Sequence, residues 1–142
     1  MDADIRILRA GDEELLANVA EEVFDHAVTP RTAAKFLADP RHHIAVVIDR
    51  GKVVGFASGV HYFHPDKSVP ELFVNEVGVA PSHQGRGLGK GVVSALLRHG
   101  RELGCGQAWV LTDRDNTAAM RLYASCGGKD TEHVMFEFDL RK

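Results

Sequence analysis

A glycine-rich stretch carries the clearest chemical signal in this sequence. It reads Gln84-Gly85-Arg86-Gly87-Leu88-Gly89-Lys90-Gly91, and it lies between an apolar run that ends at Val79 and a helical pattern that continues to about Leu103. Glycines let the backbone approach a ligand closely, and the first amides of a helix have no partner within that helix. With the helix dipole, and with Arg86 and Lys90 at the same place, such a turn suits a phosphate or pyrophosphate.

The spacing of these glycines excludes two nucleotide-binding motifs. A dinucleotide fingerprint requires Gly-x-Gly-x-x-Gly, but its third glycine position falls on Lys90 or Val92. A P-loop that ends at Gly89-Lys90 requires glycine at position 84 and serine or threonine at position 91, where this chain has Gln84 and Gly91. The stretch matches Gln-x-x-Gly-x-Gly instead, with a plain strand-to-helix connection as the alternative interpretation.

A second motif lies further along the chain, between Asn116 and Gly127. It fits the spacing Asn-x-x-Ala-x-x-Leu-Tyr-x-x-x-Gly, with alanine at position 119 and tyrosine at position 123. Together and in this order, the two motifs resemble the acyl-CoA pyrophosphate loop and the helix over CoA in the GNAT superfamily of N-acetyltransferases. The resemblance covers the whole chain and departs from the pattern at Gly128, where an aromatic residue often stands.

This resemblance implies both a fold and a cosubstrate. The fold is α/β (α+β): a single domain over residues 1–142, with a GNAT-like central mixed, mostly antiparallel sheet, a bulged and splayed strand pair, and helices on both faces. The cosubstrate is acetyl-CoA, bound without a metal, with the loop amides on its diphosphate. The implied cofactor-binding residues are Val77, Val79, Gln84, Gly85, Arg86, Gly87, Leu88, Gly89, Lys90, Asn116, Ala119 and Tyr123.

Acetyl transfer to an amine requires a neutral amine, a stabilised oxyanion and a proton for the departing thiolate. Tyr123 matches the superfamily's general acid by position, and its alternative role is that of a core aromatic. Glu76 is the first candidate for the base, and Glu71, which could equally be a solvated strand end, is the second. The resemblance also implies that the backbone N–H of Val77 stabilises the oxyanion.

The acceptor is indicated by a closer resemblance. Residues 70–79 and 132–139 are similar to the aminoglycoside 3-N-acetyltransferase branch, which implies direct attack by the 3-amino group of an aminoglycoside in a ternary complex, and a role in antibiotic resistance. Glu71 and Glu76 suit a polycationic acceptor. His61 and Tyr62 begin a polar, aromatic loop that is a further candidate substrate contact, with simple exposure to solvent as the alternative.

Two other functions stay open at this point. The chain could acetylate another small amine or a protein amine, which an acceptor screen would distinguish. It could also bind acetyl-CoA without turnover, and then no acceptor would release CoA. The presence of both Tyr123 and Glu76 favours an enzyme over the second alternative.

The elements that position these residues follow from hydrophobic periodicity. The step of three between Val74 and Val77 predicts a β-bulge near Asn75-Glu76, because an extra residue lets both halves of a strand keep one apolar face. The pattern predicts strands at residues 5–9, 44–48, 53–60, 72–79, 108–112 and 134–140, with the turn at residues 49–52 joining the second and third as a hairpin. It predicts helices at residues 13–24, 30–38 and 88–103 and in the second motif. Glu21 and Glu22 fall on the polar side of the first helix, and Thr29-Pro30 provides the cap and first position of the second.

Composition bounds the class of protein. With 142 residues, 44% hydrophobic and 26% charged, the chain suits one ordinary globular domain. Its acidic start and the lack of a long apolar run predict a cytoplasmic protein without a membrane partner. A formal net charge of −3 argues against nucleic acid and weakly favours a cationic small-molecule substrate. Cys105 and Cys126 are expected to be reduced, and a homodimer is left open.

Overall fold

The computed structural model describes residues 3–141 and contains one mixed sheet with three α-helices. The sheet has five strands in the order of the sequence. The first three neighbouring pairs are antiparallel, and the fourth and fifth strands are parallel. The strands are β1 (Asp4–Ile7), β2 (His42–Asp49), β3 (Lys52–Tyr62), β4 (Glu71–Val79) and β5 (Gln107–Val110), and the helices are α1 (Pro30–Ala38), α2 (Leu88–Glu102) and α3 (Thr117–Ser125).

Local sequence chemistry explains the first half of this architecture. Strands β2 and β3 form the predicted hairpin around Arg50 and Gly51, which have φ of 52° and 79°. Two positive φ values in a two-residue loop give the twist that an antiparallel pair requires. Helix α1 begins as predicted, because the Thr29 side chain caps the Thr32 amide and Pro30 occupies the first turn.

Helices cover both faces of the sheet, as predicted, and the central strands are therefore buried on both sides. On one face lies α2, whose buried Leu96 approaches Gly59 of β3. On the other face lie α1 and the segment before it, from which Phe24 stacks on Phe56 at 4.1 Å between ring centroids. Burial of apolar side chains on both faces is the main stabilisation of the fold.

The predicted helix at residues 13–24 is wrong. The structure has a 3-10 helix only at Glu13–Ala17, after which the chain runs beside the start of β3. There the Val53 amide donates to the Asn18 carbonyl and the Ala20 amide donates to the Val53 carbonyl, both at 2.9 Å. The apolar spacing correctly predicted that Leu16 and Val23 are buried. The backbone groups of Asn18 and Ala20, however, form hydrogen bonds with the sheet rather than within a helix.

Two further expectations are corrected at the ends of strands. Strand β3 continues through His61 and Tyr62, which were expected to begin a loop, because both residues pair with the start of β4. The last predicted strand, at residues 134–140, does not form. Its residues are exposed and have no neighbouring strand within residues 3–141, and a strand cannot be stable without a partner.

Candidate active site

A bulge in β4 organises the site, as the sequence predicted. Ser58 of β3 pairs with Glu76 and Gly59 pairs with Val74, so Asn75 is the extra residue on β4. A Cβ atom on Gly59 would lie 2.7 Å from the Phe73 carbonyl oxygen, so only glycine fits beside the bulge.

The bulge also explains how β4 and β5 separate. The two strands are paired only from Glu71 to Val74 on β4, opposite Gln107 to Val110 on β5. From Asn75 to Val79, β4 has no strand partner on that side within residues 3–141. Peptide groups that point toward this opening are available to an extended ligand, as in β-strand recognition of peptides.

The glycine-rich loop follows the C-terminal end of β4, where β4 is no longer paired with β5. Gly85 and Gly87 have φ of 78° and 77°, and Gly87 is the N-cap of α2. A Cβ atom on either residue would meet nothing within 4 Å, so open space lies in front of the loop. The first amides of α2 have no intrahelical partner, which leaves hydrogen-bond donors and the positive helix end available to an anion. These features fit the diphosphate of acetyl-CoA.

Two polar side chains of the loop are used to shape it. Gln84 donates from Nε2 to the Val79 carbonyl at 3.1 Å, and Arg86 donates from Nη2 to the Ser82 carbonyl at 3.3 Å. The motif glutamine therefore ties the loop to the end of β4. Lys90 is exposed on the first turn of α2 and remains a candidate contact for the same anion.

Helix α3 stands next to this loop. A Cβ atom on Gly89 would lie 3.5 Å from the Leu122 side chain, so glycine permits close packing of α2 and α3. Asn116 caps α3 by accepting a hydrogen bond from the Ala119 amide at 3.1 Å. Asn116 and Ala119 were both predicted to contact the cofactor. In the structure, their hydrogen bond to each other stabilises the start of α3.

The end of α3 explains the departure from the motif at Gly128. The Gly127 amide donates to the Ala124 carbonyl at 3.0 Å and the Gly128 amide donates to the Tyr123 carbonyl at 2.9 Å. These two bonds, with φ of 92° at Gly127, form a Schellman turn. A Cβ atom on Gly128 would be only 3.0 Å from the Tyr123 oxygen, so glycine suits this position.

Tyr123 is half-buried on α3 against the core. Burial raises the pKa of its hydroxyl, and the nearby Cys126 adds to the effect. The phenol is therefore protonated at neutral pH, which is the state that a proton donor requires.

One face of the sheet beside the bulge is rich in carboxylates and aromatic rings, and we call it the acceptor face after the acceptor contacts predicted there. We use this name for Glu71, Phe73 and Glu76 of β4 together with Tyr62 and Trp109, which are their neighbours on β3 and β5. Phe73 lies 4.4 Å from Trp109 between ring centroids, and the Trp109 indole N–H donates to the Tyr62 hydroxyl at 2.6 Å. The face thus combines two carboxylates with three aromatic rings.

Glu71 is the most constrained group of the acceptor face. Its Oε2 lies 2.6 Å from His64 Nε2 and 3.7 Å from Lys67 Nζ, and its Oε1 accepts from the Tyr62 hydroxyl at 3.3 Å. The hydrogen bond with His64 holds the pKa of this carboxyl below its usual range, and Lys67 contributes. Glu71 is therefore charged at neutral pH. Glu76, by contrast, is exposed beside the bulge.

His61 does not join the acceptor face. Its Nδ1 lies 2.7 Å from His43 Nε2, and His43 Nδ1 lies 3.1 Å from His99 Nε2 on α2. This histidine chain is on the α2 side of the sheet, because alternation along β3 turns His61 away from Tyr62. Burial lowers the pKa of His43 to about 4, helped by the neighbouring histidines.

Several groups around the site were not predicted from the sequence to be site residues. Among them are Trp109, which stands in a predicted strand, and His64. The segment before α1 also lines an open cavity of about 380 Å³ that includes Glu21, Glu22 and Asp25. The two glutamates were assigned to the solvent side of a helix that does not form, so no sequence signal indicated a cavity.

Comparison with known proteins decides the family. The model of the acetyltransferase (GNAT) family matches residues 12–128. The chain belongs to the acetyltransferase (GNAT) family. This assignment confirms the predicted enzyme class of acetyl-CoA-dependent N-acetyltransferases and the predicted mixed fold.

Three relatives of this GNAT chain are informative. The mycothiol acetyltransferase of Saccharopolyspora erythraea is 39% identical over 87 residues, which are 60% of this chain and 26% of that protein. The aminoglycoside N(6')-acetyltransferase type 1 of Salmonella typhimurium is 29% identical over 99 residues, 66% of this chain and 68% of that protein. The aminoglycoside acetyltransferase AAC(6')-Iy, solved with the bisubstrate analogue CoA-S-monomethyl-acetylneamine, superposes with a TM-score of 0.78 at 22% identity over 98% of this chain and 99% of that one.

These GNAT relatives refine the sequence predictions. The chain spans about a quarter of the mycothiol acetyltransferase that it matches. The named aminoglycoside relatives are 6′-acetyltransferases, so the predicted resemblance to the 3-N branch is confirmed only for the family. Among residues 3–141, no helix is long and apolar enough to cross a membrane, and no three His, Cys, Asp or Glu side chains are arranged as a metal site.

Proposed function

We propose that this GNAT domain moves an acetyl group from acetyl-CoA to a primary amine of an aminoglycoside. The observation that carries the proposal is the acceptor face, where carboxylates and aromatic rings lie beside the opening between β4 and β5. Aromatic rings pack against sugar rings and carboxylates attract ammonium groups. The names of the aminoglycoside 6′-acetyltransferase relatives support the same class of acceptor.

The cosubstrate fits the opposite side of β4. The amides that follow Gly87, with Lys90 beside them, would hold its diphosphate, and the unpaired edge of β4 up to Val79 would hold the arm that leads to the thioester. Bound there, acetyl-CoA supplies an activated acetyl group. Its thioester would then lie near the bulge, because the loop and the bulge lie at opposite ends of the same unpaired edge.

The residues of the chain have separate tasks in this proposal. Glu76 accepts the proton of the attacking amine, directly or through a water molecule, because it is the exposed carboxylate at the bulge. The Val77 amide donates a hydrogen bond to the developing oxyanion. Tyr123, protonated and half-buried, donates the proton that the departing thiolate requires.

Glu71 has a positioning task rather than a proton-transfer task. Its carboxylate is already shared by His64, Lys67 and Tyr62, so its charge is partly neutralised and its orientation is fixed. It would orient an ammonium group of the acceptor without taking a proton from it. Its depressed pKa makes it a poor base, since a good base has a pKa near the working pH.

The position acetylated on the acceptor is the finer part of the proposal. The motif at residues 70–79 favours the 3-amino group, whereas the relatives named above act at the 6′ position. A second candidate is the acceptor of mycothiol acetyltransferases, favoured by 39% identity to one of them. Both alternatives keep the donor side unchanged and differ only at the acceptor face.

The test is an acceptor screen that measures free thiol released from acetyl-CoA. The panel contains an aminoglycoside without a 6′-amino group, one whose 3-amino group is blocked, the mycothiol acetyltransferase acceptor, a linear polyamine and a short peptide. We expect aminoglycosides to give the highest kcat/KM, and NMR of the product then identifies the acetylated amine. Thiol release with the peptide or polyamine alone would overturn the acceptor assignment and leave the family assignment intact.

A further inference from the structure

A side-chain contact joins the β2–β3 hairpin to the segment that leads into the glycine-rich loop. His83 Nε2 lies 2.7 Å from Asp49 Oδ2, although the two residues are 34 positions apart in the chain. On the other side of the ring, His83 Nδ1 lies 2.8 Å from the Ser82 hydroxyl. We call Asp49, Ser82 and His83 the hairpin contact. Both ring nitrogens of His83 are therefore engaged directly before the loop begins at Gln84.

The chemistry of the hairpin contact fixes the orientation of the His83 ring. The hydrogen bond with His83 holds the pKa of the Asp49 carboxyl below its usual range, so this group is a carboxylate at neutral pH and can only accept. The Nε2 atom that faces it therefore carries a proton. The Ser82 hydroxyl can donate to Nδ1 of the neutral ring or accept from the charged ring. The hairpin contact can thus form in either charge state of His83.

The sheet holds the Asp49 end of the contact. Asp49 is the last residue of β2, and the pairing of β2 with β3 shifts at a bulge between Val47 and Ile48. Close to this bulge, the Val54 carbonyl of β3 accepts a hydrogen bond from the Ala80 amide at 2.8 Å. The same hairpin therefore holds the segment after β4 twice, once through the backbone and once through the Asp49 side chain.

The histidine of the contact is largely withdrawn from solvent. The His83 side chain is 17% exposed, compared with 42% for that of Asp49. Ion pairs on an open surface contribute little, because water screens them and side-chain entropy opposes them. A charge-assisted hydrogen bond to a mostly buried ring is shorter and better defined. The hairpin contact is therefore suited to fixing a position.

The loop that follows His83 is the part of the donor side most in need of such a fixed point. Gly85 and Gly87 have positive φ, and a Cβ atom on either would meet nothing within 4 Å. Glycine has more conformational freedom to lose than any other residue when a segment becomes ordered. A residue that is held directly before the loop restricts this freedom before a ligand arrives.

We propose that His83 is a positioning residue for acetyl-CoA, and that it holds the glycine-rich loop in its anion-binding shape through Asp49. This inference rests on the proposed donor side, where the amides after Gly87 hold the diphosphate. Ordering the loop in advance lowers the entropic cost of binding. His83 acts on the loop backbone and requires no contact of its own with the diphosphate.

Simple electrostatics predicts an effect of the opposite sign. A carboxylate near a diphosphate repels it, so removal of Asp49 would strengthen binding of acetyl-CoA if charge alone mattered. Positioning predicts weaker binding, because the loop loses its anchor. The sign of the change in affinity therefore separates the two explanations.

The first experiment measures the dissociation constant of acetyl-CoA by isothermal titration calorimetry on the full chain. Asp49→Ala should raise it about 10-fold, the effect of losing one hydrogen bond to a charged group. Asp49→Asn keeps an oxygen that accepts from Nε2 and should stay within about threefold of the wild type. The matched control is Asp39→Ala, which removes a carboxylate 3.1 Å from His42 before the opposite end of β2 and should leave the constant unchanged.

A second experiment measures the motion of the loop without ligand, by nitrogen relaxation in NMR. In Asp49→Ala, the order parameters of Gly85 and Gly87 should fall from about 0.85 to below about 0.6, whereas Asp49→Asn and Asp39→Ala should keep the wild-type values. An unchanged loop in Asp49→Ala, or affinity equal to or tighter than that of the wild type, would overturn the positioning role.

The variant Gly87→Asp distinguishes this inference from the proposed function on which it rests. If Gly87→Asp still binds acetyl-CoA as the wild type does, the loop is not the diphosphate site, and the donor side of the proposed function is wrong. If Gly87→Asp loses binding while Asp49→Ala keeps it, the donor side stands and only the role of His83 is overturned. Circular dichroism checks that each variant is folded.

Discussion

The two sides of strand β4 are built from different groups. The donor side uses backbone: the amides after Gly87, the open space in front of Gly85 and the unpaired edge beyond the bulge. The acceptor face uses side chains from three strands, among them Tyr62, Glu71 and Trp109. Backbone sites bind one invariant chemical group, whereas side-chain sites can be changed residue by residue. The difference explains why a sequence motif identifies the cosubstrate and leaves the acceptor to be tested.

The largest expected effect breaks the donor side at Gly87. Gly87→Asp should abolish the rise in melting temperature that we expect acetyl-CoA to give to the wild type, because it places a carboxylate at the proposed diphosphate site. The measurement is thermal unfolding with and without acetyl-CoA at millimolar concentration.

The matched control for Gly87 is Gly104, at the other end of α2. Both glycines have positive φ, 77° and 87°, and both would place a Cβ atom in open space. Gly104→Asp should therefore suffer a similar backbone strain, roughly 1–2 kcal/mol, yet keep the acetyl-CoA shift. Loss of the shift in both variants would mean that strain, rather than the cradle, explains the result.

The next prediction concerns Tyr123, which belongs to the donor side through α3. Tyr123→Phe should lower kcat roughly 100-fold or more with little change in the affinity for acetyl-CoA, because only the hydroxyl of the proposed proton donor is removed. The control is Tyr62→Phe on the acceptor face, which should raise KM for the acceptor and largely preserve kcat. A Tyr123→Phe enzyme with wild-type kcat would make Tyr123 a structural residue.

On the acceptor face, Glu76→Gln should reduce kcat/KM by about 100-fold or more while acetyl-CoA still raises the melting temperature. Glu71→Gln is the comparison, and we expect it to act mainly through KM because Glu71 is already bonded to His64. Long-range steering by net charge is the competing explanation for Glu76. Steering fades with salt over a Debye length of about 8 Å at physiological ionic strength, so a defect that persists in high salt supports direct proton transfer.

The sequence predicted the parts of the fold that local chemistry determines. The turn at Arg50-Gly51, the cap at Thr29 and the bulge at Asn75 each follow from residues adjacent in the chain, and all are confirmed. The failures are tertiary. Residues 18–20 exchange helix hydrogen bonds for bonds to Val53, and residues 134–140 have the pattern of a strand without a strand beside them.

In the candidate site too, the residues that local backbone geometry determines were predictable, and those that meet only through tertiary structure were not. The glycine loop and the cap at Asn116 are recognisable because their backbone geometry requires particular residue types at fixed spacing. Trp109 and His64 reach Tyr62 and Glu71 only after β3, β4 and β5 have come together, so no spacing in the sequence links them. His61 and Tyr62 were predicted to contact the acceptor as the start of a polar, aromatic loop, but both lie in β3, where alternation sends neighbours to opposite faces.

The smallest expected effect concerns His43 of β2, which contacts His61 on the side of the sheet opposite to Tyr62. The pKa of His43 is lowered to about 4, first by burial and then by His99 and His61. Its charged form is therefore disfavoured in the fold, and the unfolded chain binds more protons between pH 4 and the ordinary value of 6.5. The free energy of unfolding should be constant above that window and should fall as the pH drops through it, by at most about 3 kcal/mol.

Urea unfolding across this pH window, with His43→Gln as the comparison, measures the effect. Glutamine keeps a polar side chain and cannot titrate, so the variant should show a flatter decline above the range where carboxylates such as Glu71 begin to protonate. The acceptor KM should not follow this titration in the wild type, because the histidine chain lies on the α2 side of the sheet. If the free energy of unfolding of His43→Gln falls as steeply as that of the wild type, the acid sensitivity belongs to other groups. If the acceptor KM follows the same titration, the histidine chain and the acceptor face are coupled through β3.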